Sequence, residues 1–207
     1  MKIFGIAIYF LGLAYSEGLR LPLRYAHIKS RGRWRAVKGV SRFAEVVVLS
    51  GIGIGMWILP GIYAFTTTLD SLDYRVPELL IWIALVVFLF GLLIRSMAHR
   101  TLAGLWSGTL ELATDHQLIT TGIFRSLRHP IYTSVIIWAL CQPILLPNAV
   151  AGFSGMAAAL LLWLVRVPKE EAMMQAEFGE EYRAYAARTG SIIPRWRSVW
   201  PKAGNGH

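Results

Sequence analysis

The chain has little charge, almost no cysteine and few acidic residues. Of its 207 residues only 16% are charged and 55% are hydrophobic, whereas soluble domains carry about a quarter charged residues. This balance excludes an ordinary soluble globular protein. The single Cys141 excludes an intramolecular disulfide, and its apolar surroundings predict a small buried hydrophobe. Because no cluster of cysteine and histidine has metal-ligand spacing, the sequence predicts no metal site.

Positive charge exceeds negative charge by nine, with 21 Lys and Arg against 12 Asp and Glu. Such an excess often accompanies nucleic-acid binding, but here the basic residues concentrate in loops beside apolar runs. At those places they set membrane topology and meet anionic headgroups. The pattern therefore indicates membrane lipids as partners and excludes nucleic acid.

Apolar runs and aromatic side chains are abundant. Eight Trp, eight Tyr and nine Phe suit the aromatic belts at the two faces of a membrane. A helix needs roughly 20 apolar residues to cross the hydrocarbon, and five runs approach that length, at residues 3–19, 43–65, 79–98, 131–146 and 149–166. The first run superficially resembles a signal peptide. It lacks a small-residue cleavage site, so we expect it to be retained as a span.

Charges between the runs predict the orientation. The segments after the first, third and fifth runs are basic, whereas the segment after the second is net acidic, with Asp70, Asp73 and Glu78 against one Arg75. By the positive-inside rule, the N-terminus lies outside and the C-terminus lies in the cytoplasm. The polar segments at residues 115–132 and 166–182 are therefore expected on the cytoplasmic face, where soluble cofactors are available.

These patterns predict an all-α, polytopic integral membrane protein with about five transmembrane helices and one domain, residues 1–207. Residues 99–130 and 167–200 form a cytoplasmic cofactor-binding cap, including a helix over about 168–188 that begins at Pro168. Pro147 and Asn148 predict a tight hairpin between the last two spans. The glycines at 51, 53 and 55 lie inside an apolar helix, so they predict close helix packing and no dinucleotide site.

Two polar blocks lie against the last apolar runs. The first, residues 115–132, reads DHQLITTGIFRSLRHPIY, and the second, residues 166–171, reads RVPKEE and is followed by FGEEY at 178–182. Charged groups at a membrane boundary are costly and usually functional. Pro130 fits a first helical turn and leaves Arg128 and His129 at that helix end, where free backbone N–H groups suit an anionic ligand. Singly, Arg128, His129 and Glu170 are best explained as membrane anchors.

Arg166 and Glu170 are one helical turn apart and share a face. An arginine at the membrane edge can bind a substrate carboxylate through two parallel hydrogen bonds. A glutamate beside it can hold an amine or a ribose hydroxyl. An ordinary ion pair on a helix surface explains the same spacing.

In order and spacing, the two blocks resemble the isoprenylcysteine carboxyl methyltransferase family, which belongs with the membrane phospholipid methyltransferases. The resemblance covers about residues 115–194 and implies a helical membrane enzyme that uses S-adenosylmethionine and a lipophilic methyl acceptor, prenylcysteine or another lipid. It implies catalytic roles for Arg166, Glu170 and His129, with Arg166 binding the substrate carboxylate. The cofactor site that it implies consists of His116, Gln117, Leu118, Ile119, Phe124, Arg128, His129, Pro130, Ile131 and Glu170.

The acceptor stays open, because the chain departs from the family pattern. Phe124 replaces the usual tyrosine, and Thr133-Ser134 stands where the family usually has glycine. Isoprenylcysteine, a phospholipid amine and a small thiol are the alternatives, and an amine needs a base, for which Glu171 and His129 are candidates. An alternative of another cofactor class is an NADPH-dependent sterol-type or steroid-type membrane reductase. Such reductases often carry Asn near the motif tyrosine, where this chain has Ile131.

Overall fold

The protein folds mainly into α-helices, as a computed structural model of residues 1–30, 32, 34–36, 42–102, 111–113 and 117–195 shows. The helices are α1 (Lys2–Lys29), α2 (Arg42–Gly53), α3 (Leu59–Phe65), α4 (Glu78–Leu102), α5 (Pro130–Leu145) and α6 (Ala149–Arg188). A π-helical segment, Ile54–Ile58, joins α2 to α3 in one rod. Short 3-10 turns occur at Asp70–Leu72 and Gly122–Arg125. Two strands, β1 (Trp34–Ala36) and β2 (Glu111–Ala113), pair in antiparallel register.

The helices identify an integral membrane protein. In the part of the chain that the structure describes, four are long and apolar enough to cross a membrane: Lys2–Lys29, Phe43–Phe65, Glu78–Leu102 and Ala149–Arg188. The fifth predicted span is α5, whose 16 residues extend only about 24 Å against a hydrocarbon core of about 30 Å. The helical, polytopic fold class is confirmed, and the three-residue ladder of β1 and β2 is an addition to it.

Two helix boundaries differ from the prediction. The first run was expected to end at residue 19, but α1 continues to Lys29, because a helix need not end where its apolar side chains end. The predicted helix start at Pro168 is wrong, since Pro168 lies inside α6. Proline removes one helical hydrogen bond, and the buried side chains of Val167 and Met173 keep both sides of it packed. The backbone leaves helical geometry instead at Gly179, whose φ of +52° glycine adopts readily.

Helix α5 packs against both α4 and α6 and carries the aromatic centre of the core. The Trp138 ring lies edge-on to Phe88 of α4 and to Tyr9 of α1, with centroid distances of 4.9 and 5.7 Å. All three side chains are buried. Edge-to-face pairs at these distances add to the stabilisation from burial, so α1, α4 and α5 are fixed relative to one another.

The buried amide of Gln142, one turn further along α5, bonds to α1, α6 and the π-helical segment. The Gln142 side chain donates to the carbonyls of Gly55 and Ala151 at 2.9 and 2.6 Å and accepts from the Tyr9 hydroxyl at 3.0 Å. Ser154 also donates to the Gly55 carbonyl, at 2.7 Å. Polar side chains inside a membrane bundle are stable when they bond across helices in this way. The network holds the π-helical segment against α5 and α6.

Gly55 makes the close approach that the glycine pattern predicted, whereas Gly53 does not. A Cβ at Gly55 would lie 2.5 Å from the carbonyl oxygen of Ser154, but a Cβ at Gly53 meets nothing within 4 Å. Gly55→Ala is therefore expected to destabilise the protein by about 1–3 kcal/mol, the usual cost of overpacking. The matched control, Gly53→Ala, should be neutral or slightly stabilising. Thermal unfolding in detergent measures both, and equal effects would contradict the predicted close contact.

The α5–α6 hairpin, the segment 66–77 and the start of α1 meet at one end of the bundle. Asn148 caps α6 and donates to Asp73 at 2.9 Å, Lys2 lies 2.7 Å from the same carboxylate, and the Tyr74 N–H donates to the Pro147 carbonyl. Burial alone would raise the pKa of Asp73, but these hydrogen bonds outweigh it and lower the pKa. The predicted hairpin is present. The opposite end of the bundle, where α1 and α4 end and α5 begins, carries Arg24, Lys29 and Arg100 and is called the basic end here.

Candidate functional site

A cavity of about 230 Å³ opens at the basic end of the bundle. Its walls come from α1, the α2–α3 rod, α4, the loop before α5, α5 and α6. One part is polar and contains Arg128, His129, Arg166 and Glu170. The other part is apolar and lies between the helices, where it is lined by Leu13, Leu49, Ile52, Met56, Trp57, Val135, Trp138 and Leu162. The cavity therefore joins a polar pocket, lined by charged side chains, to an apolar pocket between the helices.

The loop before α5 forms one wall and is fastened to the end of α6. Phe124 is buried in its 3-10 turn, and the Phe124 carbonyl accepts a hydrogen bond from the Tyr185 hydroxyl at 2.7 Å. Leu127 pairs with Gly190 in a parallel bridge. The loop is thus held in place by the segment that follows α6.

The backbone N–H groups of Arg128 and His129, just before α5, bond to the segment that follows α6. The N–H of Arg128 donates to the carbonyl of Gly190 at 2.8 Å, and that of His129 donates to Ser191 at 3.0 Å. Pro130 has no N–H to offer. The sequence did not show this, because the partners come from a segment about sixty residues later.

Glu171 binds two of the predicted site residues. One of its oxygens lies 2.8 Å from Nε of Arg128 and 2.7 Å from Nε2 of His129. Arg128 also donates to the carbonyls of Ala186 and Thr189, at 3.1 and 2.6 Å. Arg128 and His129 therefore line the cavity while their polar atoms hold α6 and its end against the loop.

Glu170 lies at the polar centre of the cavity. It accepts a hydrogen bond from the Tyr132 hydroxyl, and Nδ1 of His129 lies 3.9 Å away. The Tyr132 ring stacks on that of His129 with centroids 5.4 Å apart and planes at 18°. Arg166 is close enough to interact with the Tyr132 hydroxyl. The arrangement places a carboxylate, a guanidinium and a phenol at one point of the cavity wall.

The structure brings most of the predicted site residues together. Nine line the cavity: Leu118, Ile119, Phe124, Arg128, His129, Pro130, Ile131, Arg166 and Glu170. Gln117 is exposed and is not part of the lining, and His116 lies outside the described residues. Their roles in binding and catalysis stay predictions.

Several lining residues were missed. Tyr132 belongs to the motif, but the resemblance implies no role for it. Arg95 lies inside the predicted third span, where a charged residue is itself a signal of function. Glu17 and Arg20 line the cavity from α1. No pattern in the sequence connects α1 to this site, so only the packing of the helices reveals them.

Comparison with known proteins identifies relatives of this fold and site. Residues 82–176 match the model of the isoprenylcysteine carboxyl methyltransferase family. A probable protein-S-isoprenylcysteine O-methyltransferase of Oryza sativa subsp. indica is 33% identical over 118 residues, which are 55% of this chain and 60% of that protein. Protein-S-isoprenylcysteine O-methyltransferase A of Arabidopsis thaliana is 27% identical over 160 residues, 70% of this chain and 80% of that protein.

This chain is similar to the isoprenylcysteine carboxyl methyltransferases over about half of its length. A solved structure of the eukaryotic intramembrane Ras methyltransferase of this family matches with a TM-score of 0.51 and 24% identity, over 75% of this chain and 54% of that one. At that identity the likeness shows a shared fold. The chain spans about 60% of the length of the rice relative.

The match to the methyltransferase family covers only part of the cavity. It includes most of α4, the loop before α5, all of α5 and α6 as far as residue 176. The α1 and α2–α3 walls lie outside it, as do Tyr182 and Tyr185 near the end of α6. The family resemblance therefore bears on Arg166, Glu170 and His129, whereas the α1 wall has to be interpreted from its own geometry.

Proposed function

We propose that the protein is an integral membrane methyltransferase that uses S-adenosylmethionine and esterifies the carboxylate of a lipophilic, isoprenylcysteine-like acceptor. The observation that carries the proposal is the single cavity that joins a polar pocket around Glu170 and Arg166 to an apolar pocket between the helices. A polar donor and a lipophilic acceptor need such a site, because they come from different phases. The family relationship over residues 82–176 supports the same chemistry.

The chemistry of the polar pocket fits the donor. S-adenosylmethionine carries a sulfonium, an ammonium, ribose hydroxyls and an adenine ring. Glu170 offers a carboxylate for the cationic or hydroxyl groups, and Leu118, Ile119 and Phe124 offer apolar surface for the ring. When bound, the donor supplies a methyl group that is already activated, so the protein mainly has to position the reactants and exclude water.

Arg166 would orient the acceptor carboxylate. It lines the cavity one helical turn before Glu170, and a guanidinium can bind a carboxylate through two parallel hydrogen bonds. A carboxylate is ionised at neutral pH and needs no general base. An amine acceptor would need Glu171 or His129 as a base, but these two side chains bind each other, and Glu171 also binds Arg128. A carboxylate acceptor needs neither of them as a base, so this pairing supports a carboxylate over an amine.

The two reactants would reach the cavity from different sides. The positive-inside rule puts the basic end of the bundle, and with it Glu170, in the cytoplasm, where a soluble donor is available. Leu49 and Trp57 of the α2–α3 rod line the apolar part and are 39% and 40% exposed. This exposure supports a lateral path for the acceptor from the membrane.

Methyl transfer from labelled S-adenosylmethionine tests the proposal. The purified protein in lipid vesicles is offered an N-acylated S-prenylcysteine, its carboxamide, a phospholipid with a primary amine and a small apolar thiol. We expect a base-labile methyl ester on the acid alone. Label in the phospholipid or the thiol would identify one of the alternative acceptors. Absence of label from all four, together with oxidation of NADPH by membrane sterols, would contradict the proposal.

A further inference from the structure

Helix α1 contributes a charged wall to the cavity. Ser16, Glu17 and Arg20 all line it. A terminal nitrogen of Arg20 donates to the Glu17 carboxylate at 3.0 Å, and a terminal nitrogen of Arg24 lies 3.7 Å from the other oxygen of that carboxylate. Glu17 therefore fixes the position of Arg20 at the cavity wall.

Arg95 of α4 belongs to the same end of the cavity. Only 5% of it is exposed, and its Nε has no hydrogen-bond partner among the described residues. A terminal nitrogen donates a long hydrogen bond, 3.4 Å, to the Ser134 hydroxyl. Glu17 and Arg20 are close enough to act on its charge. The hydroxyls of Tyr15 and Ser96, 2.8 Å apart, join α1 to α4 beside it. The relative placement of Arg20 and Arg95 is therefore fixed by packing.

The guanidiniums of Arg20 and Arg95 make this wall of the cavity suitable for binding an anion. Arg20 and Arg95 line the cavity, and the carboxylate of Glu17 is shared with Arg24. Glu111 also lines the cavity, and its carboxylate lies 3.3 Å from Nε2 of His27. A buried guanidinium with an unsatisfied donor is costly. A carboxylate that enters the cavity would supply the acceptor that Nε of Arg95 lacks.

We propose that Arg20 and Arg95 form an anion-binding subsite that captures the carboxylate-bearing end of the acceptor, with Glu17 as the positioning residue. The inference rests on the proposed function and adds α1 to the same site. Arg166, beside Glu170, keeps the role of orienting the carboxylate for transfer. The subsite acts on acceptor affinity, whereas Arg166 acts on the transfer step.

Binding of an N-acylated S-prenylcysteine acid and of its carboxamide tests the subsite. Arg20→Gln should weaken binding of the acid and raise its KM by about 10- to 100-fold, the effect of losing a hydrogen bond to a charged group. Binding of the carboxamide and kcat should stay within about threefold of wild type. Arg24→Gln is the matched control, because Arg24 also pairs with Glu17 but its side chain is 60% exposed and does not line the cavity. It should keep the wild-type preference for the acid.

Two further variants separate charge from fold. Arg20→Lys keeps the charge and should keep most of the preference for the acid. Glu17→Gln should lose part of that preference, because Arg20 is then held less firmly. Unfolding temperatures of all variants identify any that lose the fold.

The outcomes distinguish this inference from the proposed function. If Arg20→Gln binds the acid as tightly as wild type does, the subsite is refuted even where methyl transfer is observed. If the wild-type protein transfers no methyl group but prefers the acid through Arg20, the proposed function fails and the subsite stands.

Discussion

Arg166→Ala is expected to lower kcat for methyl transfer by about 10²- to 10⁴-fold. The guanidinium would no longer hold the acceptor carboxylate, and two hydrogen bonds to charged groups are lost at about 1.5–3 kcal/mol each. Affinity for S-adenosylmethionine should stay within about threefold, because Glu170 and the loop wall remain. Initial rates at saturating acceptor, together with calorimetric titration of the donor, measure the two effects separately.

Arg183→Ala is the control for Arg166→Ala. Arg183 lies on the same helix, its side chain is 62% exposed, and it pairs with Glu180 away from the cavity lining. Its removal should leave both kcat and donor affinity near wild type. Full activity of Arg166→Ala would contradict a role for Arg166 in the transfer step. An equal loss of kcat in both variants would indicate a general effect on folding.

Glu171→Ala is expected to lower both the unfolding temperature and the affinity for S-adenosylmethionine. It leaves Arg128 and His129 without their shared partner, although their side chains are only 14% and 3% exposed. Breaking a buried pair in this way costs about 3–5 kcal/mol, which corresponds to a fall of about 6–20 °C in the unfolding temperature for a chain of this size. Donor affinity should fall as well, because the loop before α5 loses its attachment to α6.

Glu181→Ala provides the comparison for Glu171→Ala, since Glu181 is exposed on the same helix. Glu181→Ala should change neither the unfolding temperature nor the affinity for S-adenosylmethionine. Glu171→Gln separates the structural role from general-base catalysis. If Glu171→Gln unfolds at the wild-type temperature but transfers no methyl group, Glu171 acts as a base. An amine acceptor would then be favoured over a carboxylate.

The sequence predicted the helical membrane fold because its signals are local. Apolar runs indicated the spans, and Pro147 and Asn148 indicated the hairpin. The ladder between β1 and β2 and the passage of α6 through Pro168 were not predictable in the same way. Each depends on partners that are distant in the chain, and local propensity is a weak guide to such contacts.

The motif-bearing part of the site was also predictable, whereas its other half was not. Leu118, Phe124, Arg128 and Glu170 line the cavity as the resemblance implied. The resemblance could not show that Glu171 occupies the polar atoms of Arg128 and His129, because pairing within a site is a matter of side-chain geometry. The resemblance also did not predict that α1 lines the cavity, since the contribution of Arg20 arises from helix packing and not from any motif.

Calorimetric titration of the purified protein with S-adenosylmethionine tests the central claim most directly. The account predicts one saturable site, with affinity reduced by at least about tenfold in Glu170→Gln, which loses a charged hydrogen-bond acceptor, and unchanged in Glu181→Gln. Absence of binding by the wild-type protein, or equal binding by both variants, would contradict the assignment of the cavity at Glu170 as the methyl-donor site.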